Sequence, residues 1–497
     1  MYVEFLTGSS GSGKSKRLYD ILLDMSQENP DKKIFLVVPE QFTMQAQRNI
    51  VENSPGHGTF NIDIVSFNRL AYRIFEELGI ELPTAIDDTG KNLILRKIID
   101  ENKKDFKIIR AKDSQGFVSE IKSVISELLQ YSVTADMLKD ACGRLSTGGI
   151  NNNERLRRKL EDISLIYSAF KEYISDKYIT TEEVTAILCR YVDKSELLEN
   201  AVFAFDGFTG FTPVQYQLIE LLFDKADTMY FTLTLPQDGD RWLFDMSYDE
   251  LRRIGECADR HHVRVRRMNV GEAVPYRFKD SPQLAHLERN LYRDMAQYDG
   301  EADNITIYSA LGKKAEVAYV ASRIKSLVEN GLRYRQIGVI VSSMADYKEL
   351  LASIFEENKI PVFMDNKRSI LANPAVEYIR AALAIVEKDY SYESVFRLLK
   401  GYMCKNSGRF VDSVGSLDIF ENYVLALGIR GHKKYTEAFR RRYPSRRGMD
   451  LDVINDIRVK LLELMEPVYQ VFHDKDSTAA DYIDTMLQFL DESMVYE

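Results

Sequence analysis

Cysteine is scarce in this sequence, and what there is lies scattered. Only four cysteines occur in 497 residues (Cys142, Cys189, Cys257 and Cys404), with no Cys-x-x-Cys pair. This argues against a disulfide framework and fits free thiols, packed as small apolar groups, in a reducing compartment. Long apolar runs are missing too. None reaches the roughly 18 residues that a membrane span needs, so no membrane partner is expected. The chain enters an apolar strand at once, without a signal-peptide pattern, and the cytoplasm is the expected compartment. Net positive charge is absent: the formal charge is −10. That excludes a globally basic nucleic-acid binder, although a local basic groove remains possible on an acidic protein. There is no simple repeat and no low-complexity tract. The remaining composition, 45% hydrophobic and 29% charged, is that of an ordinary globular protein. The length suggests about three domains.

The stretch that organises the chain comes first. Met1 to Thr7 reads as a short buried strand. Gly8-Ser9-Ser10-Gly11-Ser12-Gly13-Lys14-Ser15 follows, and then Leu18, Ile21, Leu22 and Met25 recur at helical spacing. This is a complete GxxxxGK[ST] loop between a strand and a helix. Its chemistry needs each part. Glycines let backbone N–H groups turn toward phosphate oxygens, and the helix N-terminus adds partial positive charge. Lys14 is expected to reach the outer phosphates of ATP, and Ser15 to ligate Mg²⁺.

Further strands are expected at 32–38, 60–65, 201–205, 228–235 and about 263–266, alternating with helices. This pattern implies a doubly wound parallel sheet. Ligands of such sheets sit outside the carboxyl ends of the strands. Gln41 and Thr43 follow the second strand, and Phe67, Arg69 and Tyr72 follow the third. Asp206, Phe208 and Phe211 follow the strand at 201–205, so all are expected along one rim with the P-loop. Thr212 reads as an N-cap with Pro213 at the first helical position. Between 87 and 200 only helical patterns occur, and these read as an insertion. A second α/β unit is expected from about 299 to 389, with strands at 305–309, 337–341 and 360–363. A helical segment then runs over 390–497. Its last amphipathic helix stops without a cap or tail, which suggests a piece of a longer chain.

This organisation resembles the superfamily 1 DNA helicases of the UvrD and RecB type, in which two RecA-like P-loop domains with parallel sheets are each interrupted by a helical insertion. The P-loop is one match. Ser66-Phe67-Asn68-Arg69-Leu70 is similar to the segment that touches single-stranded DNA in those enzymes. The run from Lys313 through Ile337-Gly338-Val339-Ile340 to Val362 is similar to the opening of the second RecA-like domain. Together, Pro39-Glu40-Gln41, Ser66 to Ala71 and Asp206-Gly207-Phe208-Thr209-Gly210-Phe211-Thr212-Pro213 resemble the AddB family along the whole chain. These are non-motor subunits of bacterial helicase–nucleases. On that division, 1–86 with 201–298 form the first RecA-like domain and 87–200 its insertion. Residues 299–389 begin the second domain, and 390–497 is its insertion, apparently truncated.

The resemblance implies an AddA-type motor partner, double- and single-stranded DNA as ligands, and scanning for the recombination hotspot Chi, with Gln41, Thr43, Phe67, Arg69, Tyr72, Phe208 and Phe211 contacting the single strand and reading it. It also implies a 5′→3′ nuclease with Mg²⁺ and a [4Fe-4S] cluster in a part of the family's chain beyond residue 497. The departures imply an inactivated motor. An active enzyme has Asp-Glu after the strand at 201–205, whereas here Gly207 follows Asp206, leaving at most a vestigial Mg²⁺ ligand or an N-cap. The expected arginine is replaced by Ser342, and Pro236-Gln237-Asp238-Gly239 does not supply the Gly-Asp-x-x-Gln sensor. Loss of such groups costs orders of magnitude in rate.

Plainer readings stand beside these. Phe67 and Tyr72 fit either DNA contact or core packing, Arg69 an ion pair, and Gln41 and Thr43 a helix cap. His261-His262 suggests a metal, but Arg260, Arg264, Arg266 and Arg267 favour a basic strand face. Arg440-Arg441-Arg442 with Arg446-Arg447 fits either duplex DNA or a solvated surface. Two other functions also remain open: an autonomous DNA-stimulated ATPase or translocase, and a P-loop scaffold that touches only protein.

Overall fold

The computed structural model describes residues 1–497 except 55–57, 59–60, 109–114, 147–152, 176, 238–239, 272–273, 294–295, 365–369, 407–409, 411–414, 443–449 and 493–497. The chain divides into two compact units, Met1–Tyr308 and Ser309–Glu497.

The first unit is built on parallel strands. They are β1 (Tyr2–Gly8), β2 (Ile34–Val37), β3 (Ile62–Val65), β4 (Thr84–Ile86), β5 (Tyr178–Thr180), β6 (Val202–Phe205), β7 (Thr228–Thr234) and β8 (Arg264–Asn269). Six of them form one sheet in the order β3-β2-β6-β7-β1-β8, every neighbouring pair parallel. Period-two alternation sorts the strand side chains onto two faces. Val3, Phe5, Phe35, Val37, Phe203, Phe205, Met229 and Phe231 enter one core. Leu6, Ile34, Leu36, Val202, Ala204 and Tyr230 enter the other. A sheet covered on both faces explains why these strands read as unbroken apolar runs. The edge strand β8 differs, since Arg264, Arg266 and Arg267 are exposed on it. Charges of this kind protect an open edge from pairing with another chain.

Helix α1 (Lys14–Glu28) buries Leu18, Tyr19, Leu22 and Leu23, and α2 (Thr43–Asn53) buries Ala46 and Ile50, both against the second core. On the other face, α3 (Phe67–Glu77) buries Phe67, Leu70, Ala71, Ile74 and Phe75. It starts where the Arg69 N–H donates to Ser66 Oγ at 3.3 Å. The insertion carries α4 (Asp88–Glu101), α5 (Gln115–Gln130), α6 (Ala135–Ser146), α7 (Asn153–Ile174) and α8 (Val184–Leu188). Four of these, α4 to α7, share a small core that includes Leu95, Ile98, Ile125, Ile166 and Phe170. The insertion is not purely helical, because β5 pairs in parallel with β4. Each of these strands is three residues long, too short for an alternation to show in the sequence. The chain returns to the sheet and continues through α9 (Pro213–Leu222), α10 (Asp245–Arg260) and α11 (Pro282–Asn290).

In the second unit, helices Lys313–Glu329 and Met344–Glu357 pack on each other through Val317, Ala321, Ile324, Leu351, Ile354 and Phe355. The strands expected at 305–309, 337–341 and 360–363 form no ladder among the described residues. Ile337 and Val341 lean on the helix pair and Ile360 is buried there, while Ile340 and Phe363 are 98% and 90% exposed. Alternating apolar sequence is present, but a strand exists only through a paired neighbour. The helical remainder has its own core, including Tyr390, Phe420, Tyr423, Tyr435, Leu461 and Met465. Arg440, Arg441 and Arg442 are all exposed, and Arg446 and Arg447 fall outside the described residues.

Candidate nucleotide and nucleic-acid sites

The P-loop joins β1 to α1, as its residue pattern requires. Gly8, Ser9, Ser10, Gly11, Ser12 and Gly13 form the turn, and Gly13 sits at the N-cap of α1. A side chain at Gly8 would collide with its surroundings, since a Cβ there would stand 2.2 Å from the Val270 carbonyl oxygen and 2.6 Å from Ser12 Oγ. The Lys14 ammonium donates to the carbonyl oxygens of Gly8 at 3.1 Å and Ser9 at 2.8 Å, so it spans the loop. Burial pulls its pKa down to about 8. The carboxylates of Asp206 and Glu288 oppose this shift, and the Arg277 guanidinium adds to it. Ser12 Oγ is buried with no hydrogen-bond partner, an orphan polar atom in a loop of the phosphate-binding type. These residues fit the triphosphate of ATP.

Asp206 stands at the carboxyl end of β6, 5% exposed. Three hydroxyls converge on it. Ser15 and Thr232 donate to Oδ1 at 2.9 and 2.6 Å, and Tyr19 donates to Oδ2 at 2.8 Å. Burial and the neighbouring carboxylate push the Tyr19 phenol well above its usual range, so it remains a donor. A P-loop serine hydrogen-bonded to a strand-end carboxylate is the donor set that Mg²⁺ would take, with Ser15 as direct ligand. The next residue, Gly207, has φ +80°. This is the left-handed region, where any other residue is strained.

A cavity of about 490 Å³ opens beside the loop. It is lined by Gly8 and Ser9, by Pro236 and Gln237 after β7, by Asn269 at the end of β8 with Val270 and Gly271, and by Glu288, Arg289 and Arg293 in and just after α11. Arg277 lies against the P-loop itself, with its backbone N–H donating to the Gly11 carbonyl at 3.1 Å. Ser342, which stands where an arginine is expected, is an exposed residue of the other unit. Thus three arginines of the first unit gather at the P-loop, an arrangement that the sequence does not announce. They lie far along the chain from the P-loop, and the β1–β8 pairing brings their segment beside it. Asp238 and Gly239 of the sensor position fall outside the described residues.

The rim is assembled as topology requires, because β3, β2 and β6 are neighbours. Its side chains are of two kinds. Phe67 takes the core alternative: it is 6% exposed, meets Phe208 at 5.5 Å between ring centroids, and lies near Phe205 and Phe211. Phe208 and Phe211 are half-buried in the same cluster. Glu250 holds the loop from beneath, accepting from the Tyr216 hydroxyl and from the Phe211 N–H at 3.3 Å. Thr43 is buried and donates to the Glu40 carbonyl at 2.9 Å. Gln41 and Tyr72 face solvent and Arg69 is also exposed, as are Phe42 and Met44, which do not stand out in the sequence. A signal for the last two does exist, since large apolar side chains right after a strand end have no core to enter. The four cysteines sit apart and form no shared cluster among the described residues, so they do not fit an iron–sulfur centre.

Two family models match the sequence: "ADDB, N-terminal" over residues 5–288, and the UvrD-like helicase C-terminal domain over residues 279–441. Several bacterial proteins named as the B-type subunit of ATP-dependent helicase/deoxyribonuclease are similar to it. That of Lachnoclostridium phytofermentans is 35% identical over 503 residues, covering 99% of this chain and 43% of that protein. That of Clostridium novyi is 34% identical over 473 residues, covering 93% and 40%. That of Alkaliphilus metalliredigens is 34% identical over 447 residues, covering 88% and 38%. The chain spans about two fifths of the length of these relatives. The fold class is therefore α/β, of the kind with two RecA-like domains. Among the described residues, no helix is long and apolar enough to cross a membrane.

Proposed function

The chain belongs to the AddB family, and from that premise we propose that it is the helicase-like part of the non-motor subunit in a two-subunit ATP-dependent helicase–deoxyribonuclease. In this reading it binds ATP with Mg²⁺ at the P-loop but turns it over little. It guides single-stranded DNA along the rim and scans it for Chi during resection of double-strand breaks, beside an AddA-type motor in the cytoplasm. The nuclease, with its Mg²⁺ and [4Fe-4S] cluster, belongs to the rest of the parent protein. The first RecA-like domain comprises 1–86 and 201–298 with 87–200 inserted, and the second begins in 299–389 with 390–497 inserted.

One observation carries the loss of turnover. Asp206 is satisfied by three hydroxyls, and the next position is a left-handed glycine. Bound Mg²⁺ would neutralise phosphate charge, and Lys14 would give up the Gly8 and Ser9 carbonyls to meet the outer phosphates. With Gly207 beside Asp206, no carboxylate at that position activates a water. For the rim, the exposed set of Gln41, Phe42, Met44, Arg69 and Tyr72 supports strand contact, through stacking and one cation. The test is Tyr72→Ala and Phe42→Ala in the assembled two-subunit complex. Normal unwinding with a lost Chi response is the expected result. An unaltered Chi response would overturn the scanning role. A second reading, an autonomous ATPase, is favoured by Arg277 against the P-loop and by Arg289 and Arg293 in the cavity beside it.

A further inference from the structure

Helices α9 and α10 run from the carboxyl ends of β6 and β7 back toward the opposite end of the strands, away from the P-loop. Near their C-terminal ends three ligand-type side chains meet. Glu220 comes from the last turn of α9, Cys257 from the last turn of α10, and His261 from the position that caps α10. A carboxylate oxygen, the thiol sulfur and an imidazole nitrogen all lie within 4.8 Å of one another. The histidine is already oriented. Its Nδ1 lies 3.0 Å from Asp224 Oδ1, and its ring stacks on Phe223 with centroids 5.4 Å apart. A carboxylate at Nδ1 fixes the proton there and leaves the Nε2 lone pair free, the usual support for a metal-binding histidine. That Nε2 faces Glu220 Oε1 at 3.9 Å.

We propose that Glu220, Cys257 and His261 form a binding site for a zinc-type divalent cation that clamps α9 to α10. The donor set selects the metal class, because thiolate with imidazole suits zinc and its transition-metal neighbours, whereas magnesium and calcium take oxygen ligands. The spacing fits as well. Bonds of about 2.0–2.3 Å in a tetrahedral site place donors roughly 3.3–3.8 Å apart, a contraction of at most about 1.5 Å from the distances here. The fourth position is open to water. A cation already favours this place: the Arg260 guanidinium donates to Glu220 Oε1 from Nε at 3.1 Å and Nη2 at 2.7 Å and lies against Cys257. Arg260 is mostly exposed and can swing into solvent, and a carboxylate has a second oxygen for a metal. Binding would exchange the Cys257 thiol proton for the metal. The two histidines that hint at a metal in the sequence thus differ, and only His261 joins a ligand set among the described residues, with Glu220 on α9 and Cys257 on α10.

The test is Co²⁺ titration of the chelator-stripped full chain, followed by displacement with Zn²⁺. The expected result is one Co²⁺ per chain, with a sulfur-to-cobalt charge-transfer band and the visible bands of a tetrahedral site, both removed by Zn²⁺. Cys257→Ser abolishes the charge-transfer band. His261→Gln and Asp224→Asn weaken binding by about tenfold or more. Lys14→Ala leaves the spectrum unchanged, which separates this site from a metal at the P-loop. Zinc also raises the melting temperature of the natural chain but not of Cys257→Ser. Absence of the charge-transfer band in the natural chain, or its persistence in folded His261→Gln at unchanged affinity, would overturn the proposal and leave Arg260 as the resident cation.

Discussion

In the proposed function, Asp206 retains the metal-side chemistry of the P-loop site and Gly207 withholds the carboxylate that the reaction needs. The hydroxyls of Ser15, Tyr19 and Thr232 hold Asp206, and φ +80° at Gly207 opposes any side chain there. Gly207→Glu is therefore expected to cost about 1–2 kcal/mol of stability. It should also leave ATP turnover at background, because the strained backbone does not place a carboxylate for catalysis. Thermal melting and a steady-state assay check both parts. Lys14 titrates with a pKa of about 8 in the free protein, lowered chiefly by burial. A bound polyphosphate stabilises the charged form, so binding near pH 8 should take up a proton and affinity should fall as pH rises through about 8. Calorimetry in buffers of different ionisation enthalpy reads the uptake directly. On the rim, Tyr72→Ala should weaken oligo(dT) binding by about 1–3 kcal/mol with the melting temperature unchanged. Phe67→Ala should instead destabilise the fold by about 3–5 kcal/mol. Measuring both properties on both variants separates the exposed ring from the buried one.

The elements hold these residues through local devices that can be tested one at a time. The start of α9 is fixed by a capping box: the Gln215 N–H donates to Thr212 Oγ1 at 3.4 Å, and the Thr212 N–H donates to Gln215 Oε1 at 2.8 Å, with Pro213 following. Thr212→Ala should cost about 1 kcal/mol and loosen the 206–212 loop before it affects the sheet. In the insertion, Lys91 is buried and meets Glu182 at 2.7 Å, two residues far apart in the chain. Burial works to raise the Glu182 pKa, but the hydrogen bond from Lys91 prevails and the carboxyl sits below its usual range. A carboxyl depressed in the folded state contributes stability above its unfolded pKa and loses it as pH falls through the folded value. Acid should therefore loosen the insertion as pH falls from about 5 through the depressed pKa, and Glu182→Gln should remove that part of the pH dependence.

Elements of this kind are legible in the sequence to differing degrees. The Thr212-Pro213 start is written in adjacent residues and can be read directly. The β4–β5 pair cannot, since such short strands carry no period. The segments at 337–341 and 360–363 show strand alternation, yet pairing is a long-range event that alternation does not guarantee.

At the scale of the molecule, the parallel sheet follows from strands that alternate with helices, and the P-loop's position follows from one contiguous motif. The arginines that gather around it are hidden in the sequence, because the segment that carries them comes beside the P-loop through the long-range β1–β8 pairing. The aromatic rim is half legible. Its location follows from the strand ends, but the inward turn of Phe67 depends on rings from β6 and the 208–211 loop that no local pattern specifies. In the proposed function the P-loop unit binds nucleotide without hydrolysing it. The direct test measures ATP binding and ATP hydrolysis together, on this chain and on Lys14→Ala, with and without single-stranded DNA. Binding that Lys14→Ala abolishes, with hydrolysis no faster than in that variant, is the predicted result. Hydrolysis stimulated by single-stranded DNA and lost in Lys14→Ala would contradict it, and would make Arg277, Arg289 and Arg293 parts of a working motor.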